Sequence, residues 1–474
     1  MHIIFLNPQG NFDQKDSHLT EHADFGGQLI YVKEISKALV EQYPDLKVDI
    51  ITRRFNDPEW SEDFGEEITY YQGTSSRLRI VRIPCGDTSF LRKEMLWQHI
   101  PEWVENIVRF YGTHLPDYAT AHYGDGGYSA VLLKKITGIP FTFTGHSLGA
   151  QKLDKIYKKE PDFNKLDDWY HFSMRIQAER LSMQYADTII TSTDMERYEQ
   201  YSHPLYRDVV DVEADGKFAV IPPGVNTTLF NQKVDEKDRE VFASIEDQLG
   251  ITKEPSIILS SRLDDKKNHI SAVKAYAQNK ELQQKASLGI FLRGIKDPYK
   301  EVGNLTGNER IILQAIIDEI DRHHLRDRVF FLDLASQKEL AGAYKYFAIK
   351  HAMFVLTAFY EPFGLAPIEA GACGLVPVTT NNGGPSDIFK DGMGILVDPT
   401  DIDDIARGMK KALENHEEYA EKAVRLVKEK YTWEKTAKGY HQLVTGSPKN
   451  ILEKDAVLPT LDAKELIIKH LKTL

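Results

Sequence analysis

Two carboxylates, Glu361 and Glu369, lie eight positions apart in the stretch TAFYEPFGLAPIEAGACGLVPVTTNNGGPSDI, residues 357–388. Between them, Pro362-Phe363-Gly364-Leu365 reads as a glycine turn that opens a helix. A glycine at the mouth of a helix leaves backbone N–H groups facing outward, where the helix dipole favours an anion. With a helix starting near Gly364, Glu361 falls in the turn and Glu369 about a turn and a half inside. Such a pair can hold neutral hydroxyls, those of a sugar and a ribose, while the N–H groups take phosphate. Surface glutamates that only complement a helix dipole show the same spacing, so the pair needs support from the rest of the chain.

Support comes from Arg262 and Lys267 in SRLDDKKNH, residues 261–269, directly behind a predicted strand at 256–260. Arginine offers a planar fork of donors and lysine a compact point charge, a combination that can grip a diphosphate. A solvated basic turn is the plainer alternative. Position at the carboxyl end of a strand, in the half that carries both glutamates, favours binding. Asn381-Asn382-Gly383-Gly384-Pro385 follows another strand (375–378) and would bring a second glycine loop to the same rim, or only make a tight turn.

The N-terminal half carries its own candidates. Gly26-Gly27-Gln28 joins a strand at 2–6 to a helix at 29–43, and serves either a close backbone approach to a ligand or a turn alone. His146 lies between Gly145 and Gly149 behind a strand at 141–144. It could donate to a substrate hydroxyl, take part in proton transfer, or only pack. The same run fits the G-x-S-x-G nucleophile elbow, so a serine hydrolase with Ser147 as nucleophile is the opposing class. Its triad histidine would have to be His441, in a predicted helix far along the chain. Lys152 and Arg175 could take a phosphate on an acceptor. Arg180 is expected to form a structural ion pair, with the adjacent Glu179 as its candidate partner. His18-Leu19-Thr20-Glu21-His22 has the order of a zinc peptidase motif but sits in a polar loop, so no metal site is expected there.

The elements that must position these residues alternate strand and helix throughout, which predicts an α/β fold of doubly wound parallel sheets. Predicted strands are 48–52, 78–83, 118–122, 188–192 and 218–221, then 256–260, 288–292, 329–332, 353–356, 375–378 and 394–397. Residues 57–70 are expected to form an antiparallel hairpin or a loop, Gly124 to Gly127 a loop ahead of a helix, 96–111 one helix and 166–185 another. Pro222-Pro223-Gly224 stops the pattern and marks a boundary between two domains, with a ligand cleft expected between them. A length of 474 residues suits two or three domains. The formal net charge of −12 argues against non-specific nucleic-acid binding. The N-terminus is too short for a signal-peptide core and no apolar run reaches membrane-spanning length. Cys85 and Cys373 give no disulfide framework. A cytoplasmic location is expected.

Taken together, FLNPQGNF (5–12), DFGGQLIYVKE (24–34), AHYGDGG (121–127), FTGHSLGAQK (143–152), RIQAERL (175–181), VIPPGVN (220–226), SRLDDKKNH and FYEPFGLAPIEA (359–370) resemble retaining glycosyltransferases of family 4. Within them, the chain is similar to bacterial-type sucrose-phosphate synthases. The resemblance implies a GT-B fold of two Rossmann-like domains facing across a cleft: residues 1–222, with 436–474 packing back, and residues 223–435. It implies a nucleotide-sugar donor, UDP-glucose favoured, with Arg262, Lys267 and the Gly27 backbone at the diphosphate. Glu369 would hold the ribose, Glu361 and the backbone of Phe363, Gly364 and Leu365 the glucosyl hydroxyls, and His146 the transferring sugar. Gly26, Gln28, Lys93, Lys152 and Arg175 match contacts to fructose 6-phosphate. Transfer would need neither metal nor cofactor, and domain closure would exclude water. Similarity to the bacterial type implies that the plant-type phosphatase-like domain is not expected, so a separate phosphatase partner is implied. No nucleic acid or membrane partner is expected. A mannosyl relative using GDP-mannose would share most of these motifs, as would a sucrose synthase using free fructose. A neutral acceptor would not require Lys93, Lys152 and Arg175.

Overall fold

A computed structural model describes residues 1–14, 27–71, 73–250, 254–446 and 450–474. The His18–His22 motif and Gly26 lie outside the described residues, and Gly27 is described in its backbone alone. The chain divides into two compact units, one of Met1–Pro223 with Trp433–Leu474 and one of Gly224–Thr432.

The first unit is built on eight strands: β1 (His2–Leu6), β2 (Lys47–Arg54), β3 (Ile68–Thr69), β4 (Leu78–Pro84), β5 (Tyr118–His122), β6 (Phe141–Thr144), β7 (Thr188–Thr191) and β8 (Phe218–Val220). Their order is β3-β4-β2-β1-β5-β6-β7-β8. All neighbours pair in parallel except the edge strand β3, which runs antiparallel to β4. β1 shows why its sequence is a continuous apolar run. Ile4 and Leu6 enter the core on one face of the sheet, while Ile3 and Phe5 enter the core on the other. A parallel sheet covered on both faces needs apolar residues of both parities. The chain's last segment packs on this unit. Trp433, Ala437 and Tyr440 of the helix Trp433–Gly446 join the core containing Val32 and Ile35. Ile467 and Leu471 of the helix Lys464–Leu471 join the core on the opposite face.

The second unit carries β9 (Ser256–Ser260), β10 (Ser287–Leu292), β11 (Val329–Asp333), β12 (Met353–Leu356), β13 (Val376–Thr380) and β14 (Ile395–Val397), in the order β11-β10-β9-β12-β13-β14 and all parallel. Alternation is again two-sided: Met353 and Val355 face one core, Phe354 and Leu356 the other.

Three expectations are corrected. The helix expected over 166–185 is two helices, Phe163–Tyr170 and Phe172–Tyr185. His171 breaks it with a left-handed backbone (φ 50°), and Asp167 caps the second piece by accepting from the Ser173 N–H and hydroxyl. Gly124 to Gly127 do not form a loop but lie in the first turns of the helix Tyr123–Thr137. A side chain at Gly126 would run into the Leu6 carbonyl, and one at Gly127 into Ser182, so these glycines let the helix lie close to its neighbours. The helix expected from 96 begins at Ile100 after two 3₁₀ turns, Lys93–Met95 and Trp97–His99. No helix among the described residues is long and apolar enough to cross a membrane.

Candidate active site

In the second unit the sheet order reverses between β9 and β12, which are neighbours although β10 and β11 intervene in sequence. Such a reversal opens a crevice outside the carboxyl ends of the two strands, the usual ligand site of an open parallel sheet. Arg262 and Lys267 stand on the loop behind β9, and Glu361 on the loop behind β12. The two loops are bound together. The Phe359 N–H donates to the Lys266 carbonyl at 2.9 Å, and the Thr357 hydroxyl donates to the Asn268 carbonyl at 2.8 Å. Asn268 adopts a left-handed conformation (φ 51°) and anchors its own side chain on the Pro399 carbonyl. On this frame Lys267 Nζ meets Glu361 Oε2 at 2.5 Å. Arg262 is exposed and makes no side-chain ion pair or hydrogen bond among the described residues.

The Asn381–Pro385 loop behind β13 completes the rim. The Glu361 N–H donates to the Asn382 carbonyl, and the Glu361 carbonyl accepts from the Gly384 N–H at 2.9 Å. A side chain at Gly383 would strike the Glu361 carbonyl oxygen, and one at Gly384 the Phe363 carbonyl. The glycine pair is therefore what lets this loop lie against the Glu361 turn. Gly364, with φ 106°, turns the chain into the helix Leu365–Cys373. The N–H groups of Gly364, Leu365 and Ala366 have no backbone partner among the described residues. Pro367 has none to offer, so the open donors are concentrated at the very start of the helix. Glu369, half-buried in this helix, makes no hydrogen bond or ion pair among the described residues, and burial pushes its carboxyl up to about 8. Lys267 on Glu361, the exposed Arg262 on the same loop as Lys267 and the open helix N-terminus thus share one rim, an arrangement that attracts an anion and offers carboxyl groups to hydroxyls.

In the first unit the candidates gather at the carboxyl ends of β1, β5 and β6. Gln28 donates to Asn7 Oδ1 at 2.8 Å, which ties the helix Gly27–Gln42 to the end of β1. His146 has a left-handed backbone (φ 54°), and its Nε2 lies 2.8 Å from His122 Nδ1 at the end of β5. Burial pushes the His146 imidazole down to about 4, so it is neutral at neutral pH. Arg175 reaches the same loop, donating to the Ser147 carbonyl at 2.6 Å and to Glu179 Oε1 at 2.9 Å. The fully buried Glu179 carboxylate accepts the Gly149 N–H, so a protein carboxylate already occupies the N-terminus of the helix Gly149–Tyr157. Lys152 lies in that helix, with Nζ 4.8 Å from the centre of the Tyr170 ring. Lys93 stands on a separate 3₁₀ turn, 4.0 Å from Glu94.

Glu179 pairs with Arg175 one helical turn away and not with Arg180, which makes a two-pronged contact with Asp208. Adjacent residues on a helix point apart, whereas positions i and i+4 share a face. Sequence reasoning missed His122 and Asp125. Burial raises the Asp125 carboxyl to about 6, against the lowering effect of the Gly126 N–H bond and, more weakly, of the Arg175 and Lys93 charges. Both residues lie in the AHYGDGG run, whose shared location with His146 and Arg175 depends on the neighbouring placement of β5 and β6.

The hydrolase alternative finds no support. His441 stacks flat on Tyr43 at 3.7 Å, and no histidine bonds to the Ser147 hydroxyl among the described residues. Asp154, His203 and His470 form a three-residue cluster of metal-ligand type. However, the Leu205 N–H donates to His203 Nδ1, so the His203 proton sits on Nε2 and points at Asp154. That nitrogen is a hydrogen-bond donor there, not a metal ligand.

Two units of this kind, each an open and mainly parallel sheet covered on both faces, are those of a glycosyltransferase of the GT-B fold. A family model described as glycosyl transferases group 1 matches residues 241–433, and one described as the first GT-B domain of sucrose synthase matches residues 1–250. The chain belongs to the sucrose-phosphate synthase family. It is 44% identical to a probable sucrose-phosphate synthase of Thermosipho melanesiensis, over 98% of this chain and all of that protein. It is 30% identical to a probable sucrose-phosphate synthase of Craterostigma plantagineum, where it spans 45% of the plant protein's length. Among solved structures, a sucrose-phosphate synthase of Thermosynechococcus elongatus shares the fold, with a TM-score of 0.67 at 24% identity over 94% of this chain and 98% of that one.

Proposed function

We propose that the protein transfers a glucosyl group, with retention at the anomeric carbon, from a nucleotide-glucose to fructose 6-phosphate, giving sucrose 6-phosphate. UDP-glucose is the favoured donor. The carrying observation is the contact between Lys267 and Glu361, held by hydrogen-bonded loops at the β9/β12 reversal beside the open amides of Gly364 and Leu365. Lys267 and Arg262 neutralise the donor diphosphate, Glu369 takes the ribose hydroxyls, and Glu361 with the Phe363–Leu365 backbone takes hydroxyls of the glucosyl group. As the bond from C1 to the leaving phosphate oxygen breaks, negative charge grows on the diphosphate. Fixed cations already in place stabilise it without reorganisation. The acceptor hydroxyl bonds to C1 on the same face and its proton passes to the leaving phosphate. Side-chain cations and helix amides supply the positive charge, so no metal or cofactor is required. Gly26, Gln28, Lys93, Lys152 and Arg175 receive the phosphorylated acceptor, and His146 offers a hydrogen bond to a sugar hydroxyl. The cytoplasm is the proposed setting, where Cys85 and Cys373 remain free buried thiols and a separate phosphatase removes the product's phosphate.

The test is a product assay with UDP-glucose and, in parallel, fructose 6-phosphate or fructose, in the presence of a metal chelator. A phosphorylated disaccharide from fructose 6-phosphate alone is expected. Product from free fructose instead would assign a sucrose synthase. Product only with GDP-mannose would assign a mannosyl transfer.

A further inference from the structure

We propose that Thr120 and His122 are positioning residues that set the tautomer of His146, so that His146 presents its Nδ1–H, and not an Nε2–H, to a sugar hydroxyl. The sugar-contacting role of His146 is taken from the function proposed above; the tautomer itself stands on the following geometry.

Three polar groups form a chain from β5 to the loop behind β6. Thr120 Oγ1 is 2.9 Å from His122 Nε2, and His122 Nδ1 is 2.8 Å from His146 Nε2. Thr120 and His122 are fully buried. Burial holds His122 well below the usual imidazole range, and the neighbouring His146 depresses it further. With both rings neutral, each gap holds one proton, and only two arrangements are consistent. In one, every proton points toward His146: the Thr120 hydroxyl donates to His122 Nε2, His122 Nδ1–H donates to His146 Nε2, and the remaining proton of His146 sits on Nδ1. In the other, every proton points toward Thr120, and the Thr120 hydroxyl proton is left facing buried protein. Among the described residues that hydroxyl has no hydrogen-bond partner other than His122. A buried donor without an acceptor is far more costly than an unused lone pair on an oxygen. The first arrangement therefore wins.

The orientation of the ring is fixed as well. His146 has its left-handed backbone, meets Tyr31 edge-on at 5.1 Å between ring centres, stacks on His122 at 5.1 Å and tilts against Tyr123 at 5.3 Å. Its Nδ1 has no hydrogen-bond partner among the described residues and is the atom left to meet a ligand. A free neutral imidazole in water prefers the opposite tautomer, with the proton on Nε2, so the environment has to impose this one. Its consequence is that His146 acts as a neutral, aimed donor, which separates the hydrogen-bond role from the proton-transfer role left open by the sequence.

The test is nitrogen NMR of the full chain labelled with ¹⁵N-histidine, at neutral pH and without substrate. Signals are assigned by their loss in His146→Asn and His122→Asn. Both rings are expected to show a protonated Nδ1 and an unprotonated Nε2. An Nε2–H signature for His146, or a charged ring at neutral pH, overturns the inference. The kinetic arm compares His122→Phe, which removes the donor, with His122→Asn, which can keep an N–H near the Nδ1 position. Phe is expected to lower kcat by about threefold to tenfold, the size of one neutral hydrogen bond, with Asn recovering most of it and KM for the nucleotide sugar little changed. Equal impairment in both variants overturns positioning through the hydrogen bond. Unchanged turnover in His146→Ala would instead overturn the sugar-contacting role, while the labelled spectra still decide the tautomer.

Discussion

Replacing Lys267 by methionine keeps the length of the side chain and removes its charge. An ammonium about 4 Å from a phosphate oxygen, at an effective dielectric of about 20, contributes about 4 kcal/mol. Arg262 and the amides at Gly364 and Leu365 remain, so the loss falls toward the range of about 10²–10³-fold in kcat seen when one charge-stabilising donor is removed. The substitution also strips Glu361 of its cation. The Glu361 side chain is 13% exposed, and its uncompensated charge then repels the diphosphate. Adding Glu361→Gln to Lys267→Met should therefore hurt less than the sum of the two single losses, a coupling expected for groups in direct contact. Stability should change little. Lys267 is 26% exposed, and pairs with that access to solvent contribute at most about 1 kcal/mol, a shift of about 2–4 °C for a unit of this size. The assay is initial-rate formation of the phosphorylated disaccharide with the melting curve measured in parallel. Turnover of Lys267→Met within about threefold of wild type would refute the assignment of this lysine to the diphosphate, as would a fall explained by loss of folded protein.

Gly383→Ala places a methyl group against the Glu361 carbonyl at a residue with φ 90°. It should cost about 1–3 kcal/mol of stability and lower kcat/KM beyond the folded fraction, read by denaturant unfolding and initial rates. Glu369, whose carboxyl burial raises to about 8, binds a proton in the folded chain that the unfolded chain releases at its ordinary value of 4.5. Its contribution is therefore fully present below that ordinary value and is lost as pH rises through about 8. Glu369→Gln should accordingly raise the melting temperature of the ligand-free protein above pH 8 and leave it unchanged near pH 4; an equal effect at both would contradict the burial of this group. Arg175→Lys keeps the charge over Glu179 but loses the fork that reaches Glu179 and the Ser147 carbonyl together. It should raise KM for fructose 6-phosphate by about tenfold, one hydrogen bond to a charged group, with KM for the nucleotide sugar unchanged. Lys152→Met should impair use of fructose 6-phosphate and spare any use of free fructose, which competition between the two acceptors would show.

Much of the fold was legible because its signals are local. The run Ser256–Ser260 is apolar and bounded by polar residues, and it forms a strand over those same residues. The strand expected over 353–356 is likewise found at Met353–Leu356. The turn at Gly364 was visible from glycine chemistry alone, because a φ of 106° suits no other residue well. Errors arose where packing overrides such signals. The glycines after His122 suggested a loop, yet they serve a helix pressed against Leu6 and Ser182. His171 gives no breaker signal, yet its left-handed conformation divides a helix because Asp167 and Ser173 bond across it.

By itself, then, the amino-acid sequence determined most of the strands and helices, several of the glycine turns, and which side chains of suitable chemistry stand at strand ends. Those properties arise within a few residues, from backbone preference and apolar periodicity. Only the tertiary structure decided that β9 and β12 are neighbours, which brings Lys267 to Glu361 across 94 positions. Only it decided that Glu179 serves Arg175 and Gly149, and that His122 stands behind His146. Strand order and side-chain pairing depend on how segments distant in sequence bury their surfaces together, and no local pattern carries that information.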